Sequence, residues 1–210
     1  EMLRARMAST LKRLTGAKIS IHEDNDVLSA ELPFRSEIFS ADQMEVHARN
    51  LASTHKLGSI NSSDKLLIRL TENESVLVDV CSKLAQTVER QLIPAAEWLL
   101  DNFYLIREQI RTARRHFPKG YSRILPSLEN GSSAEIPRVY DIALEVISHG
   151  DGRVDLDILN RFVMSYQTVS ALTLGELWAI PIMLRLALIE NLRRVAARVA
   201  AQAAPRDRAR

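Results

Sequence analysis

The chain has 210 residues, of which 46% are hydrophobic and 26% charged, a composition typical of globular proteins and unlike that of disordered or collagen-like chains. Its formal net charge of +2 does not by itself indicate a nucleic-acid or membrane-surface partner. The single cysteine, Cys81, excludes an internal disulfide, and without a Cys/His cluster we expect no structural zinc site. These features fit a folded protein of a reducing compartment.

Residues 1–39 carry few structural signals, and we expect a poorly defined N-terminal segment there. They lack the order of basic, apolar and small residues that marks a signal peptide, so we do not expect secretion. Ser40 gives the first clear signal, because its spacing to Gln43 is that of a capping box. The sequence therefore predicts a helix from about Ala41.

Two long helices are predicted in the middle of the chain. Apolar residues recur at a spacing of three and four between Asp64 and Leu92, which is typical of an amphipathic helix. Pro94 breaks this helix and suits the first turn of a second one, which runs to about His116. Antiparallel pairing would bury both apolar stripes, so we expect a helical hairpin.

A long connection follows the predicted hairpin. Residues 118–137 contain glycine and proline at several positions and are long for a loop in a compact domain. Pro137 is expected to open a shorter helix that ends at the turn beginning with His149 and Gly150. Asp155 is predicted to cap the next short helix.

The last helix is predicted to contain a proline. Thr173 and Glu176 repeat the capping-box spacing at its start, and its apolar pattern continues past Pro181, where we expect a bend. Strand-like alternation is weak throughout, which predicts an all-α fold: a hairpin of two long helices, shorter helices and a proline-bent C-terminal helix. The helical module is predicted to cover residues 40–199, and the Ala- and Arg-rich residues 200–210 are expected to be a connector or a cut end.

Local motifs for catalysis and cofactor binding are missing from the sequence. It contains no G-x-S-x-G, no G-x-G-x-x-G and no P-loop pattern. The histidines are scattered, and His47 and His55 lie two turns apart on one predicted helix, so we expect no metal site and no cofactor in this chain. Cys81 falls on an apolar face and is expected to be a buried structural thiol.

Two groups of residues allow both a functional and a structural interpretation. Glu97, Asp101 and Glu108 share a helical face that could bind a sugar or a cation, but alternating charges favour pairing with nearby basic side chains. Trp98 and Trp178 could stack on a sugar ring. Their apolar helical positions favour the core instead.

Four separated segments carry a resemblance to a known family; they read PAAEWLLDNFYLIREQI from Pro94, then RRHFPKGYSRILP, PRVYDIALEVISHGDGRVD and LTLGELWAIPIMLRLALIENLRR. In order and spacing they are similar to the N-terminal region of bacterial cyclic β-1,2-glucan synthases. The resemblance covers about residues 84–198 and weakens toward residue 40.

The resemblance implies that this chain is a fragment of a very large inner-membrane enzyme, which makes cyclic β-1,2-glucan from UDP-glucose and needs a divalent metal. The transferase motifs of the family are missing here, so the resemblance assigns no catalytic and no metal-binding residue, and the fragment alone is expected to be non-catalytic. It implies a helical module on the cytoplasmic face of the bacterial inner membrane, with a scaffolding or glucan-holding role.

Candidate contact positions come from the matching segments. Those expected to contact glucan or other domains are Glu97, Trp98, Asp101, Asn102, Tyr121, Arg138, Tyr140, Glu176, Trp178, Arg185, Glu190 and Asn191. Glu190 and Arg194 are one turn apart and are expected to form an exposed pair of little energetic value. Arg185, if buried, would need a partner, for which Glu176 is a candidate across the bend at Pro181.

The expected partners are the transferase and membrane regions of the same parent chain, and β-1,2-glucan is a further candidate. The apolar stretch 177–192 is interrupted by charges, so we expect no transmembrane segment in this chain. A basic run at 111–123 could meet phosphate, but a solvated helix end is favoured and no nucleic-acid partner is expected. The alternative is a self-standing helical adaptor or regulatory protein.

Overall fold

The computed structural model of the chain describes residues 37–58, 64–86, 93–129 and 133–203. Within these ranges the helices are α1 (Ala41–Thr54), α2 (Lys65–Gln86), α3 (Pro94–Asp101), α4 (Phe103–His116), α5 (Arg138–His149), α6 (Leu156–Gln167) and α7 (Leu174–Ala203), with a 3₁₀ turn at Tyr121–Ile124. The described residues form isolated β-bridges but no strand. The all-α prediction is confirmed.

Most of the two predicted terminal segments falls outside the described ranges. Of the segment 1–39, only residues 37–39 are described, and of the connector 200–210, only residues 200–203. The last helix reaches Ala203, four residues beyond the end predicted for the helical module. None of the described helices is both long enough and apolar enough to cross a membrane.

The predicted helix starts are local features, and the structure confirms them. Ser40 and Gln43 form a reciprocal capping box, with the Ser40 N–H donating to Gln43 Oε1 at 2.8 Å and the Gln43 N–H donating to Ser40 Oγ at 3.3 Å. Asp155 Oδ1 accepts from two backbone N–H groups of the first turn of α6, at 2.9 and 3.0 Å. Thr173 and Glu176 form the second capping box.

Helix α7 is the central element of the fold. It contacts α2, α3, α4 and α5, while the most extensive contact of α1 is with α6. Ala179, Met183 and Ala187 are completely buried and follow one another at four-residue spacing along α7. The buried apolar side chains of the described helices form one continuous cluster.

The second long helix of the predicted hairpin is divided at Asn102. This residue leaves helical geometry (φ −100°, ψ 5°), and its side-chain amide donates to the Trp98 carbonyl at 2.8 Å. An asparagine side chain that competes for a backbone carbonyl in this way favours a helix break. Helix α2 contacts both α3 and α4, as the hairpin requires, but its most extensive contact is with α7.

The long connection between α4 and α5 is held in place by polar contacts. The Asp64 carboxylate accepts from the Gly120 N–H at 2.9 Å and from the Ser122 hydroxyl at 3.1 Å. Gly120 has φ +81°, a left-handed conformation in which other residues would be strained. Leu128 is buried, and its N–H donates to the Ile136 carbonyl at 3.0 Å. The described part of this connection is therefore ordered by specific bonds.

Cys81 is completely buried on α2. Burial raises the pKa of its thiol to about 12, which keeps it protonated and poorly nucleophilic at neutral pH. This agrees with the expected structural role of Cys81.

Candidate functional site

An open apolar groove of about 540 Å³ lies where α3 and α4 face α7. Its walls are formed by Trp98, Asn102, Leu105, Ile106, Gln109, Val154, Pro181, Leu184, Arg185, Leu188, Ile189 and Leu192. Asn102, where α3 ends, lies on one wall of the groove, and Pro181, inside the continuous helix α7, lies on the other.

Large apolar side chains in the groove are partly exposed to solvent. Trp98 keeps 56% of its surface exposed, Leu105 46% and Leu188 37%. Concave surfaces with several exposed large apolar groups, and with polar residues near them, are typical of binding sites. Here the polar groups are Asn102, Gln109 and Arg185, and the groove is the candidate functional site.

The prediction that both tryptophans lie in the core is wrong. Trp98 is more than half exposed on α3, and Trp178 is 75% exposed near the start of α7. Each lies next to a buried position of its helix, Leu99 and Ala179 respectively. Apolar spacing identified helices with a wide apolar face, but it did not show which part of that face another helix covers.

Only some of the predicted contact positions come together in the groove, namely Trp98, Asn102 and Arg185. Glu97 and Asp101 are exposed on α3, next to the groove in sequence but not part of its lining. Arg185 is half-buried, and Glu176 does not serve as its partner, because Glu176 pairs with Arg138. The candidate pairing of Arg185 with Glu176 is therefore not formed.

Arg138 and Glu176 form a buried ion pair between α5 and α7. Arg138 Nε donates to Glu176 Oε1 at 2.6 Å and Nη2 donates to Oε2 at 2.9 Å, a bidentate arrangement. The guanidinium also donates to the Ser170 hydroxyl at 2.8 Å and the Ala171 carbonyl at 2.7 Å. Burial acts to lower the pKa of Arg138, but the bonds and charge of Glu176 outweigh it, and the net shift is upward.

A second buried cluster is centred on Glu190 of α7. Glu190 Oε2 accepts from the Tyr140 hydroxyl at 2.6 Å, and Oε1 accepts from Arg69 at 3.0 Å and Arg194 at 2.9 Å. Glu190 is 1% exposed, so the prediction of an exposed pair with Arg194 is wrong. The i, i+4 spacing was correct, but spacing along one helix does not show that side chains of α2 and α5 bond to the same carboxylate.

The buried hydroxyl of Tyr140 gives a testable pH dependence. Burial, followed by the charge of Glu190, raises the pKa of Tyr140 well above 10, so the unfolded chain loses this proton first as the pH rises. The contribution of this hydroxyl to the free energy of unfolding is therefore complete below pH 10. Above pH 10 that contribution falls, by up to about 1.4 kcal/mol per pH unit. We expect the free energy of unfolding of Tyr140→Phe to fall less steeply above pH 10. Urea titrations should show no such change for Tyr104→Phe, which removes an exposed tyrosine.

The remaining predicted positions lie apart from the groove lining and from both ion-pair clusters. Tyr121 is half-buried and meets the edge of the Phe117 ring, with 5.4 Å between ring centroids. Asn191 is half-buried on α7, with its amide beside Gly152. A functional role for these residues stays a prediction.

His47 of α1 meets Glu145 of α5, a contact that spacing along the sequence did not predict. His47 Nε2 lies 2.7 Å from Glu145 Oε2, and His149 Nε2 lies 3.4 Å from the same oxygen. Among the described residues, this trio is the group whose geometry could hold a metal ion. Glu145 and His149 are four residues apart on one helix, which was a visible signal, but His47 is remote in sequence.

His55 is buried between two polar partners in the same interface. Its Nδ1 lies 2.8 Å from the Tyr166 hydroxyl and its Nε2 lies 3.1 Å from Asp141 Oδ2. Asp141 also accepts from the Ser133 hydroxyl. Both ring nitrogens of His55 have partners, so we assign it a structural role: it links the end of α1 to α5 through Asp141 and to α6 through Tyr166.

The described helices and the groove define an all-helical module with an open apolar groove. Over 169 residues, 79% of its length, the chain is 38% identical to the cyclic beta-(1,2)-glucan synthase NdvB of Rhizobium meliloti (strain 1021). The similarity to this type of synthase that was inferred from the sequence is confirmed. The match covers 6% of that relative, so the chain corresponds to a small region of it. No family model matches the chain.

Proposed function

We propose that this chain is a non-catalytic helical module of a membrane glucosyltransferase that makes cyclic β-1,2-glucan from UDP-glucose, and that the groove docks another region of the same parent chain. Similarity to a region of a cyclic glucan synthase supports the parent. The observation that carries the docking role is the groove itself, in which Trp98, Leu105 and Leu188 are partly exposed. In this proposal the module lies on the cytoplasmic face of the inner membrane.

The groove suits an amphipathic helix as its occupant. Its lining is mostly aliphatic, with Asn102, Gln109 and Arg185 as the polar groups that would fix register. Helices commonly bind such grooves through apolar residues on one face. The match accounts for 6% of the relative, so a parent of that kind would supply many candidate helices within the same chain.

The expected docking energy is adequate for an intramolecular contact. Complete burial of a large apolar side chain contributes about 1.5–3 kcal/mol, and the groove offers four that are partly exposed, namely Trp98, Leu105, Val154 and Leu188. A tethered partner is present at an effective concentration of about 1 mM, so modest affinity is sufficient. Donor and divalent metal would bind in other regions of the parent, because the transferase motifs of the family are missing from this sequence.

A charge in the groove should impair the parent enzyme. Leu105→Asp or Leu188→Asp in the full-length synthase should weaken docking by tenfold or more, equivalent to about 1.4 kcal/mol, because the charge would lose its hydration in an apolar contact. We expect a matching drop in cyclic glucan formed per membrane-inserted synthase, with increased protease cleavage between the module and its partner.

Ile124→Asp is the matched control, since Ile124 is 67% exposed and lies outside the groove lining. It should leave glucan output unchanged. Wild-type output from both groove variants, at equal synthase levels, would contradict the docking proposal.

Glucan holding is a second candidate, favoured by one feature of the groove. Trp98 is half-exposed and lines the same groove as Asn102 and Arg185, and an indole ring, an amide and a guanidinium together can stack on a sugar ring and bond its hydroxyls. Titration of the 210-residue protein with linear β-1,2-gluco-oligosaccharides, and separately with UDP-glucose, distinguishes the two. Saturable glucan binding that Trp98→Ala abolishes would support holding, and no binding would leave docking.

The alternative of a self-standing adaptor predicts the same groove with a different partner. Site-specific cross-linking from position 105 distinguishes the two cases. A product within one polypeptide supports the synthase module, and a product with a separate protein supports the adaptor.

A further inference from the structure

We propose that His47, Glu145 and His149 form a binding site for a divalent transition-metal ion of the zinc class, at the contact between α1 and α5. This inference does not depend on the docking function of the groove, and the ion is not the one that the transferase chemistry needs. It also departs from the sequence-based expectation of no metal site. That expectation considered the spacing of histidines along one helix and not across two.

The ligand atoms of the three side chains lie close together. The Nε2 atoms of His47 and His149 lie 2.7 and 3.4 Å from the same oxygen, Glu145 Oε2. The ligand atoms of all three residues lie within 4.8 Å of one another. Zinc bonds of about 2.0–2.1 Å in a tetrahedral site place neighbouring ligands about 3.3 Å apart. The His149–Glu145 distance already has this value, and the His47–Glu145 pair would open by about 0.6 Å.

The second nitrogen of His149 supports metal binding. Nδ1 lies 2.7 Å from the backbone carbonyl oxygen of Glu37, and because a carbonyl only accepts, Nδ1 carries the proton. In the neutral ring, Nε2 then carries a lone pair that faces the Glu145 carboxylate oxygen. A cation between these two acceptors converts repulsion into coordination. A histidine that donates its other N–H to a backbone carbonyl is the usual outer arrangement of a metal-binding imidazole.

The surroundings hold the imidazole rings in place. The Phe39 ring stacks on His149 at 3.8 Å between centroids and 10° between planes, and meets His47 edge-on at 5.4 Å. Two rings with a fixed orientation lose little freedom when an ion binds. The ligands come from α1 and α5, so an ion here would join these two helices.

The donor set and the exposure of the trio indicate the chemical class of the ion. Two imidazole nitrogens with one carboxylate suit zinc, cobalt or nickel better than calcium or magnesium, which prefer oxygen ligands. The side chains of His47 and Glu145 are 25% and 30% exposed, which leaves a route for the ion and room for water as a further ligand. One carboxylate and two neutral imidazoles leave one net positive charge on a bound Zn²⁺ complex.

Metal titration of the purified, chelator-treated 210-residue protein without a histidine tag tests the proposal. We expect one equivalent of Zn²⁺ to bind in calorimetry, and one equivalent of Co²⁺ to give the visible absorption of a low-coordinate site. Zinc should also raise the melting temperature. Each of His47→Gln, Glu145→Gln and His149→Gln should weaken binding at least tenfold, since even loss of an outer partner costs about 10–100-fold in affinity.

His116→Gln is the matched control, because His116 is exposed at the end of α4 and is not part of the trio. It should bind zinc as the wild type does. Circular dichroism of each variant separates loss of a ligand from loss of fold, and the Co²⁺ spectrum of the unaltered protein needs no variant. No saturable binding by the wild type, or equal affinity in all folded variants, would overturn the proposal and leave a proton-mediated contact in its place.

Discussion

Glu176→Ala should lower the free energy of unfolding by about 3–5 kcal/mol, because it leaves the guanidinium of Arg138 buried without its counter-charge. Arg138 is 2% exposed and Glu176 is completely buried. The hydroxyl of Ser170 and the carbonyl of Ala171 would still accept from the guanidinium, but neither supplies a negative charge. Urea unfolding followed by circular dichroism measures the effect.

Asp79→Ala is the control for this prediction. Asp79 pairs with Lys83 at 2.8 Å on α2, but both side chains are 55% exposed, so its loss should cost no more than about 0.5 kcal/mol. The double variant Arg138→Met/Glu176→Leu removes both charges, and we expect it to regain part of the stability, because the Thr173 N–H still loses its acceptor. If Glu176→Ala were as stable as Asp79→Ala, the buried pair would not be a major support of the α5–α7 contact.

The elements that sequence predicted well are those fixed by neighbouring residues. Ser40, Asp155 and Thr173 cap helices through bonds within three residues, so their side-chain types and spacing were sufficient. The all-α fold followed from apolar spacing in the same way. The break at Asn102 is also local, but asparagine is compatible with helix interiors often enough that the apolar pattern concealed it.

The contacts that sequence did not predict join residues far apart in the chain. Arg138 and Glu176 are 38 residues apart, and His47 and Glu145 are 98 apart. These pairs depend on which helices pack together. Apolar spacing indicates which side of a helix is buried, but it does not indicate which helix covers that side. The resemblance marked Arg138 and Glu176 as positions of interest, but only the packing of α5 on α7 shows them to be an ion pair.

The groove illustrates the same division. Trp98, Asn102 and Arg185 were candidates individually, and the structure brings them together because α3 and α4 lie against α7. The predicted burial of Trp98 assumed that another helix covers it. In the described part of the chain that cover is incomplete, and the resulting exposure is the main support for a docking partner.

Glu190→Ala should be the second strongly destabilising change, with a loss of about 2–4 kcal/mol in the free energy of unfolding. The substitution removes the acceptor of the buried Tyr140 hydroxyl and the counter-charge of Arg69 and Arg194. The cost should be lower than for Glu176→Ala, because the Arg69 side chain is 34% exposed and can regain water.

A double-mutant cycle with Tyr140→Phe isolates one bond of this cluster. Tyr140→Phe leaves Glu190 paired with both arginines, so it should cost only about 1–2 kcal/mol. In Tyr140→Phe/Glu190→Ala the hydroxyl that lost its acceptor is gone as well, so the two losses should not add. Calorimetric or urea-derived values that add within about 0.3 kcal/mol would show that the 2.6 Å bond between Tyr140 and Glu190 contributes little. A coupling of about 1 kcal/mol or more would instead establish Glu190 as the acceptor that lets a tyrosine be buried where α5 packs on α7.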